Sequence, residues 1–208
     1  PISFSTKDSK VIEHAELPVV TDELSVTLRQ NLLNKNPNWT SVFHKGFNDI
    51  DRTPLIWLTP NYYSVPHVRF SLNDNPNTGI DSVGRGLSLN QWYHLAYTLS
   101  EPQKRLDFYI DGKWIGLQSI QQVQKQQILF NNAPLYIGTA PFRDGFTGQI
   151  SNFRYYNWSL SADEVMSTNT NASTIPTPTA TCMLTSNGKG NINDIALIAI
   201  IGVGAFLL

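Results

Sequence analysis

The dipeptide Asp111-Gly112 does most to limit what this chain can fold into. It separates "RLDFYI" (105–110) from "KWIGLQ" (113–118), and Asp-Gly readily takes the positive φ values of a two-residue turn whose twist matches paired strands. An antiparallel hairpin is therefore expected here. Leu106, Phe108 and Ile110 alternate with Asp107 and Tyr109, so one face of the first strand is apolar and the other partly polar.

The same kind of pattern runs through residues 1–158. Short apolar or alternating stretches occur at 23–30, 40–46, 54–60, 67–73, 92–99, 133–139 and 148–156, with turn-forming runs such as "NDNPNTG" (73–79), "SEPQ" (100–103) and "FRDG" (142–145) between them. No long helical period is present, so the domain is expected to be all-β. In "GQISNFRYYNW" the alternation slips between Ile150 and Phe153. A bulge near Ser151-Asn152 returns both to the core face. Ser161, with Glu164 three residues later, forms a capping box, which predicts a short helix near 161–166 closing the domain.

The chain has 208 residues, enough for one domain with a substantial core plus a tail. Its 15 basic and 16 acidic residues give a formal charge of −1, which lacks the electrostatic footprint of a nucleic-acid binder. The single cysteine, Cys182, makes no internal disulfide, so the core must be held by apolar burial.

Three segments follow from composition: a β-domain over 1–166, a Ser/Thr/Pro-rich stalk over 167–191, and an apolar segment over 192–208. The stalk is nearly free of large apolar residues and is expected not to fold. From Ile195 to Leu208 no residue is charged. As a helix that run reaches about 21 Å, short of the roughly 30 Å hydrocarbon core. A truncated span, a tail anchor and a lipid-anchor signal remain open, each placing the chain on a membrane at a cell surface or in a virion, with a buried core helix as the alternative.

The order of motifs adds a further expectation. "QWYHLAYTL" (91–99), "LDFYIDGKWIG" (106–116), "LYIG" (135–138) and "GFTGQISNFRYYNWSLSADEV" (145–165) together resemble the second half of a laminin G-like domain of the concanavalin A-like lectin and glucanase superfamily. The resemblance extends more loosely to residue 1. It implies two antiparallel sheets packed face to face as a jelly roll. It also implies that Trp92 fills the inter-sheet core, that His94 hydrogen-bonds locally, and that Asp111 and Gly112 serve the turn.

A superfamily glucanase needs paired carboxylates at a defined separation. The strand motif that carries them, Glu-x-Asp-x-x-Glu, is absent, and the nearest spacing, Asp107 with Asp111, joins a strand residue to a turn residue. A nucleophile elbow, a phosphate loop and a zinc-binding His pair are also absent from the sequence, and no enzymatic activity is expected. Many laminin G-like domains bind calcium at a loop rim, which makes calcium a candidate cofactor. Asn73, Asp74, Asn77 and Asp81 are the candidate ligands, with Asp49 and Asp51 in a second loop. Asn and Asp in turns also serve backbone geometry alone.

Sugar recognition by a sandwich needs exposed aromatic faces with polar groups around them. Tyr62, Tyr63, Trp114, Arg143 and Asp144 are the candidate ligand-binding residues. Each has a structural alternative: Trp114 as cover for a sheet edge, and the tyrosines leaning over the core. Asn38, Asn157 and Asn171 head glycosylation sequons. The reading that follows is a non-catalytic, membrane-anchored recognition module for glycan or protein partners. The alternative is a structural brick, such as a minor capsid-type protein that pins a virion shell to a membrane among neighbours in the assembly.

Overall fold

The computed structural model describes residues 1–81, 86–122, 125–169, 181–186 and 195–200, the last two segments as backbone alone. Two antiparallel sheets pack face to face. In the first, β10 (Lys113–Ser119), β9 (Arg105–Ile110), β8 (Trp92–Ser100), β3 (Glu23–Leu32) and β12 (Gly148–Tyr156) are neighbours in that order, and β1 (Ile2–Phe4) adds to the outer edge of β12. The second sheet runs β2 (Ser9–Ile12), β11 (Leu135–Gly138), β4 (Thr40–Lys45), β5 (Leu55–Leu58), β6 (Pro66–Phe70), β7 (Thr78–Ile80). Helix α1 spans Ala162–Asn169.

The local expectations from sequence are met. Asp111 and Gly112 have φ of 53° and 74°, the left-handed pair required by a type I′ turn. Pairing between β12 and β3 shifts between Ser151 and Arg154, so Ile150 and Phe153 are both buried in the core. At the helix start, Ser161 N–H donates to Glu164 Oε2 (2.8 Å) and Glu164 N–H returns a bond to Ser161 Oγ (3.3 Å).

The sheets meet through aromatic rings. Phe43 of the second sheet lies 5.8 Å from Phe153 and 6.4 Å from Tyr97 of the first, edge to face, a geometry favoured by the ring quadrupole. Tyr97 is fully buried, and its hydroxyl crosses between the sheets to donate to the Arg69 carbonyl at 3.2 Å. Burial pushes that phenol well above its ordinary pKa, so it remains a donor.

Trp92 differs from its expectation. The core face of β8 carries Tyr93, Leu95, Tyr97 and Leu99, whereas Trp92 is half-buried and off the inter-sheet core. Strand parity gives the reason, since Trp92 shares its face with His94 and not with Leu95. His94 bonds across the sequence instead of locally. Its Nε2 lies 3.0 Å from Thr168 Oγ1 on α1. Because the Thr168 hydroxyl proton goes to the Val165 carbonyl at 2.7 Å, His94 Nε2–H is the donor.

That bond fastens α1 over an apolar patch of Ala96, Tyr109, Tyr156, Leu160 and Val165 on the outside of the first sheet. Thr168→Val keeps the shape but leaves the buried imidazole N–H without its partner, a loss of about 1–3 kcal/mol. Urea denaturation measures that loss, and faster amide exchange confined to 162–169 locates it.

Residues 195–200 are extended rather than helical. Their backbone (β14, Ile195–Ile200) pairs with β13 (Thr181–Ser186), which pairs with Arg154–Tyr156 of β12. Three isoleucines in "IALIAI" suit an extended backbone, since β-branching restricts χ1 in a helix. Among the described residues no helix is long and apolar enough to cross a membrane. The rest of the stalk and apolar segment, with Asn171, lies outside the described residues.

Candidate functional site

Trp114 follows the Asp111-Gly112 turn and pairs with Tyr109 across the hairpin. It is 55% exposed, yet its orientation is fixed. The indole Nε1–H donates to Asp107 Oδ1 at 2.8 Å, and Arg105 grips both oxygens of Asp107 at 2.5 and 2.6 Å. Asp107 is 7% exposed, so the carboxylate is anchored while the indole face is open. An aromatic surface held in one orientation needs little ordering when a ligand stacks on it.

Tyr62 and Tyr63 project from the β5–β6 loop, 59% and 66% exposed. Asn61, Tyr62 and Ser64 have φ of 58°, 63° and 53°, costly for side chains larger than glycine and held by the surroundings. Asn61 N–H donates to Pro37 O and Tyr62 N–H to Asn36 O, which joins this loop to the β3–β4 connection. The tyrosines do not lean over the core. Strand register puts them at the same end of the sandwich as the 111–112 turn.

Arg143 and Asp144 separate. Asp144 pairs with Lys7 at 2.6 Å between exposed side chains, a contact contributing at most about 1 kcal/mol. Arg143 turns over the outer face of the second sheet, where its guanidinium lies 4.4 Å from the Trp57 ring centre, and its Nη2 meets Asp49 Oδ1 at 3.3 Å. Arg52 approaches the same indole at 4.9 Å. The β11–β12 loop and the β4–β5 loop therefore meet above Trp57, bringing Phe142 to 4.6 Å from His44. Trp39 closes the other side, 4.7 Å from His67.

Beneath this roof several polar atoms are buried without a partner: Ser41 Oγ, His44 Nδ1, Trp57 Nε1 and Arg143 Nε. Ser41 and His44 are fully buried and Trp57 is 4% exposed. Each such group ordinarily costs about 1–3 kcal/mol. His44 Nε2–H donates to the Asp51 carbonyl at 2.6 Å, which makes Nδ1 a bare acceptor.

Burial lowers His44, His67 and His94 to about 4. At His44 the bond to the Asp51 carbonyl opposes the burial, whereas at His67 and His94 the neighbouring Arg69 and Arg29 reinforce it. All three rings are neutral at pH 7.

The residues expected to hold calcium are directed elsewhere. Asp81 pairs with Arg69, Asn77 Oδ1 accepts from Arg52 and Arg69, Asp74 accepts from Gln126, and Asn73 bonds the backbone of Lys125 and Gln127. Among the described residues no three His, Cys, Asp or Glu side chains gather as a metal-binding group. Two guanidinium groups beside these oxygens oppose a cation there. Of the sequons, Asn38 is exposed, and Asn157 Nδ2 is bonded to the Val19 carbonyl at 3.0 Å.

Sequence reasoning missed Trp39, His44, Trp57, His67 and Arg52 as one group. A signal was present: Trp57 alternates with Ile56 and Leu58, and His67 and Arg69 alternate with Val68 and Phe70. That parity assigns them to the outward face.

A family model described as Laminin_G_3, concanavalin A-like lectin/glucanases superfamily, matches residues 4–166. No curated protein matches the chain in sequence. Among solved structures, a heptameric SAP-like pentraxin from Limulus polyphemus is similar with TM-score 0.55 at 14% identity, over 96% of this chain and 95% of that one. Domain 4 of an extracellular arabinanase from Geobacillus stearothermophilus, in complex with arabinotriose, has TM-score 0.51 at 18% identity, over 73% and 68%. A putative carbohydrate-binding protein from Bacteroides ovatus has TM-score 0.47 at 13% identity, and the match spans 72% of this chain but only 42% of that one. At these identities the likeness is one of fold.

Proposed function

The chain belongs to the concanavalin A-like lectin/glucanase superfamily, and on that premise we propose that it is a non-catalytic module that recognises glycans. One observation carries the reading: Trp114 is 55% exposed but is fixed by Asp107 and Arg105. A pyranose ring presents an apolar CH face that stacks on an indole, and its hydroxyl groups then reach the partly exposed guanidinium of Arg105. Tyr62 and Tyr63, at the same end of the sandwich, supply further aromatic surface for an extended chain. The protein complexed with arabinotriose is a domain of similar fold.

Trp114→Ala is expected to weaken binding of a recognised glycan at least about tenfold, as loss of an aromatic anchor does. Its folding stability should change by less than about 1 kcal/mol, because the side chain is exposed. Asp107→Ala leaves the indole in place but frees it to turn, so a smaller loss of affinity is expected. Isothermal titration of the three proteins against one glycan checks both statements. Equal affinity in wild type and Trp114→Ala removes the hairpin from the site.

The same proposal puts the module at a membrane, on a cell surface or virion. The apolar composition of 195–208 behind a Ser/Thr/Pro-rich stretch supports that placement, in which residues 195–200 leave their pairing with β13 as the run enters the bilayer. Partition of the full chain into the detergent phase is the expected result, and its retention in the aqueous phase is the contrary one.

A further inference from the structure

The roofed outer face of the second sheet combines features that a purely structural layer does not need. Around the single indole of Trp57 are two buried donors without partners, Trp57 Nε1–H and Arg143 Nε–H, a bare acceptor at His44 Nδ1, and the Ser41 hydroxyl, which can do either. Ser41 pairs with Trp57 in the strand register, and His44 lies 5.7 Å from its ring. Unpaired buried groups are uncommon in native structures, and several in one neighbourhood mark a place where a partner belongs.

The charge balance indicates what kind of partner. Arg52, Arg69 and Arg143 surround the face against Asp49 and Asp81. With both histidines neutral, one positive charge remains in excess. Arg143 meets Asp49 by one long contact of 3.3 Å through Nη2, with Nε unused. A guanidinium offering Nε–H and Nη2–H side by side is a fork for both oxygens of one carboxylate. Asp49 has a side chain 45% exposed and Arg143 one 26% exposed, so this contact is the part of the roof a solute reaches first.

We propose that this face is a second binding site, separate from the Trp114 surface, for a sugar bearing a carboxylate. The acid takes the fork of Arg143 and displaces Asp49, while neighbouring hydroxyl groups donate to His44 Nδ1 and bond Ser41 Oγ. No covalent step is involved. Ordered water is the rival occupant, because water too can donate and accept.

The test is a titration of the ¹⁵N-labelled full chain with glucuronate, glucose and acetate, following the five tryptophan indole N–H signals, with Trp57 assigned through Trp57→Phe. The expected result is a saturable shift of the Trp57 signal with glucuronate, at least tenfold weaker with glucose or acetate. Arg143→Gln should abolish the shift, Ser41→Ala should weaken it, and Trp114→Ala should leave it intact. A Trp57 signal that no solute moves in the folded wild-type chain overturns the proposal and leaves water as the occupant. An equal response to acetate overturns it in favour of a simple anion. A response lost in Trp114→Ala overturns the separateness of the two sites.

Discussion

Replacing Phe43 by alanine is expected to destabilise the fold by about 3–5 kcal/mol, in the upper range for a large buried ring. Phe43 is fully buried on β4 and is the ring of the second sheet that meets both Tyr97 and Phe153 of the first. Its loss removes contacts to two sheets at once, and the strands on either side restrict how far the site can collapse. In a chain of this length the melting temperature should fall by on the order of 10 °C. Phe43→Leu, which keeps most of the volume, should cost much less, about 1–2 kcal/mol. Thermal unfolding of the two variants checks the argument. Similar small losses for both would mean that the sheets are held mainly elsewhere.

The second large effect is an acid-side loss of stability. His44, His67 and His94 titrate at about 4 in the folded chain against an ordinary 6.5. Between those values the unfolded chain binds protons that the folded chain refuses. Stability therefore rises with pH across that window and falls as the pH drops from 6.5 towards 4. Below about 4 these three residues add no further loss. One such histidine holds at most about 3 kcal/mol at neutral pH. Discounting His67 for its partial access to water, the three together amount to several kcal/mol, on the order of half a typical domain's stability.

Urea midpoints measured from pH 7.5 to 4 should fall mainly below 6.5. Replacing His94 by glutamine, which retains a donor near Thr168, should flatten the curve. A midpoint independent of pH between 6.5 and 4.5 would contradict the burial assigned to these rings.

Legibility in the sequence followed the range of the interactions. The Asp111-Gly112 turn, the bulge after Ile150 and the Ser161/Glu164 capping box are each set by residues a few positions apart, and each was readable. So were the longer strands, whose alternation is repeated often enough to register. β1, β2 and β7 are three or four residues long and lie among polar or turn-forming residues, so periodicity does not distinguish them from loop, whereas the equally short β5 and β11 sit within longer apolar runs. The resemblance of its motif implied a core position for Trp92, but parity with Leu95 and Tyr97 puts it on the other face.

At the candidate site, exposure of Trp114, Tyr62 and Tyr63 could be anticipated from their position beside turns. The anchoring of Trp114 by Asp107 could not, since it depends on two strands facing their side chains the same way across the hairpin. The cell around Trp57 depends on still longer contacts. It joins β4, β5 and β6 to loops carrying Asp49 and Arg143, 94 residues apart, and such meetings are set by the packed fold alone.

The claim that the chain is a glycan-recognising module is tested most directly by binding of the full chain to a broad panel of immobilised neutral and acidic glycans. The account predicts selective retention by a few related structures, unchanged when a calcium chelator is added, since the loop oxygens around Asp81 are committed to arginine. Uniform failure to bind, by protein that unfolds cooperatively and is therefore intact, would contradict it and favour a structural role among neighbouring proteins.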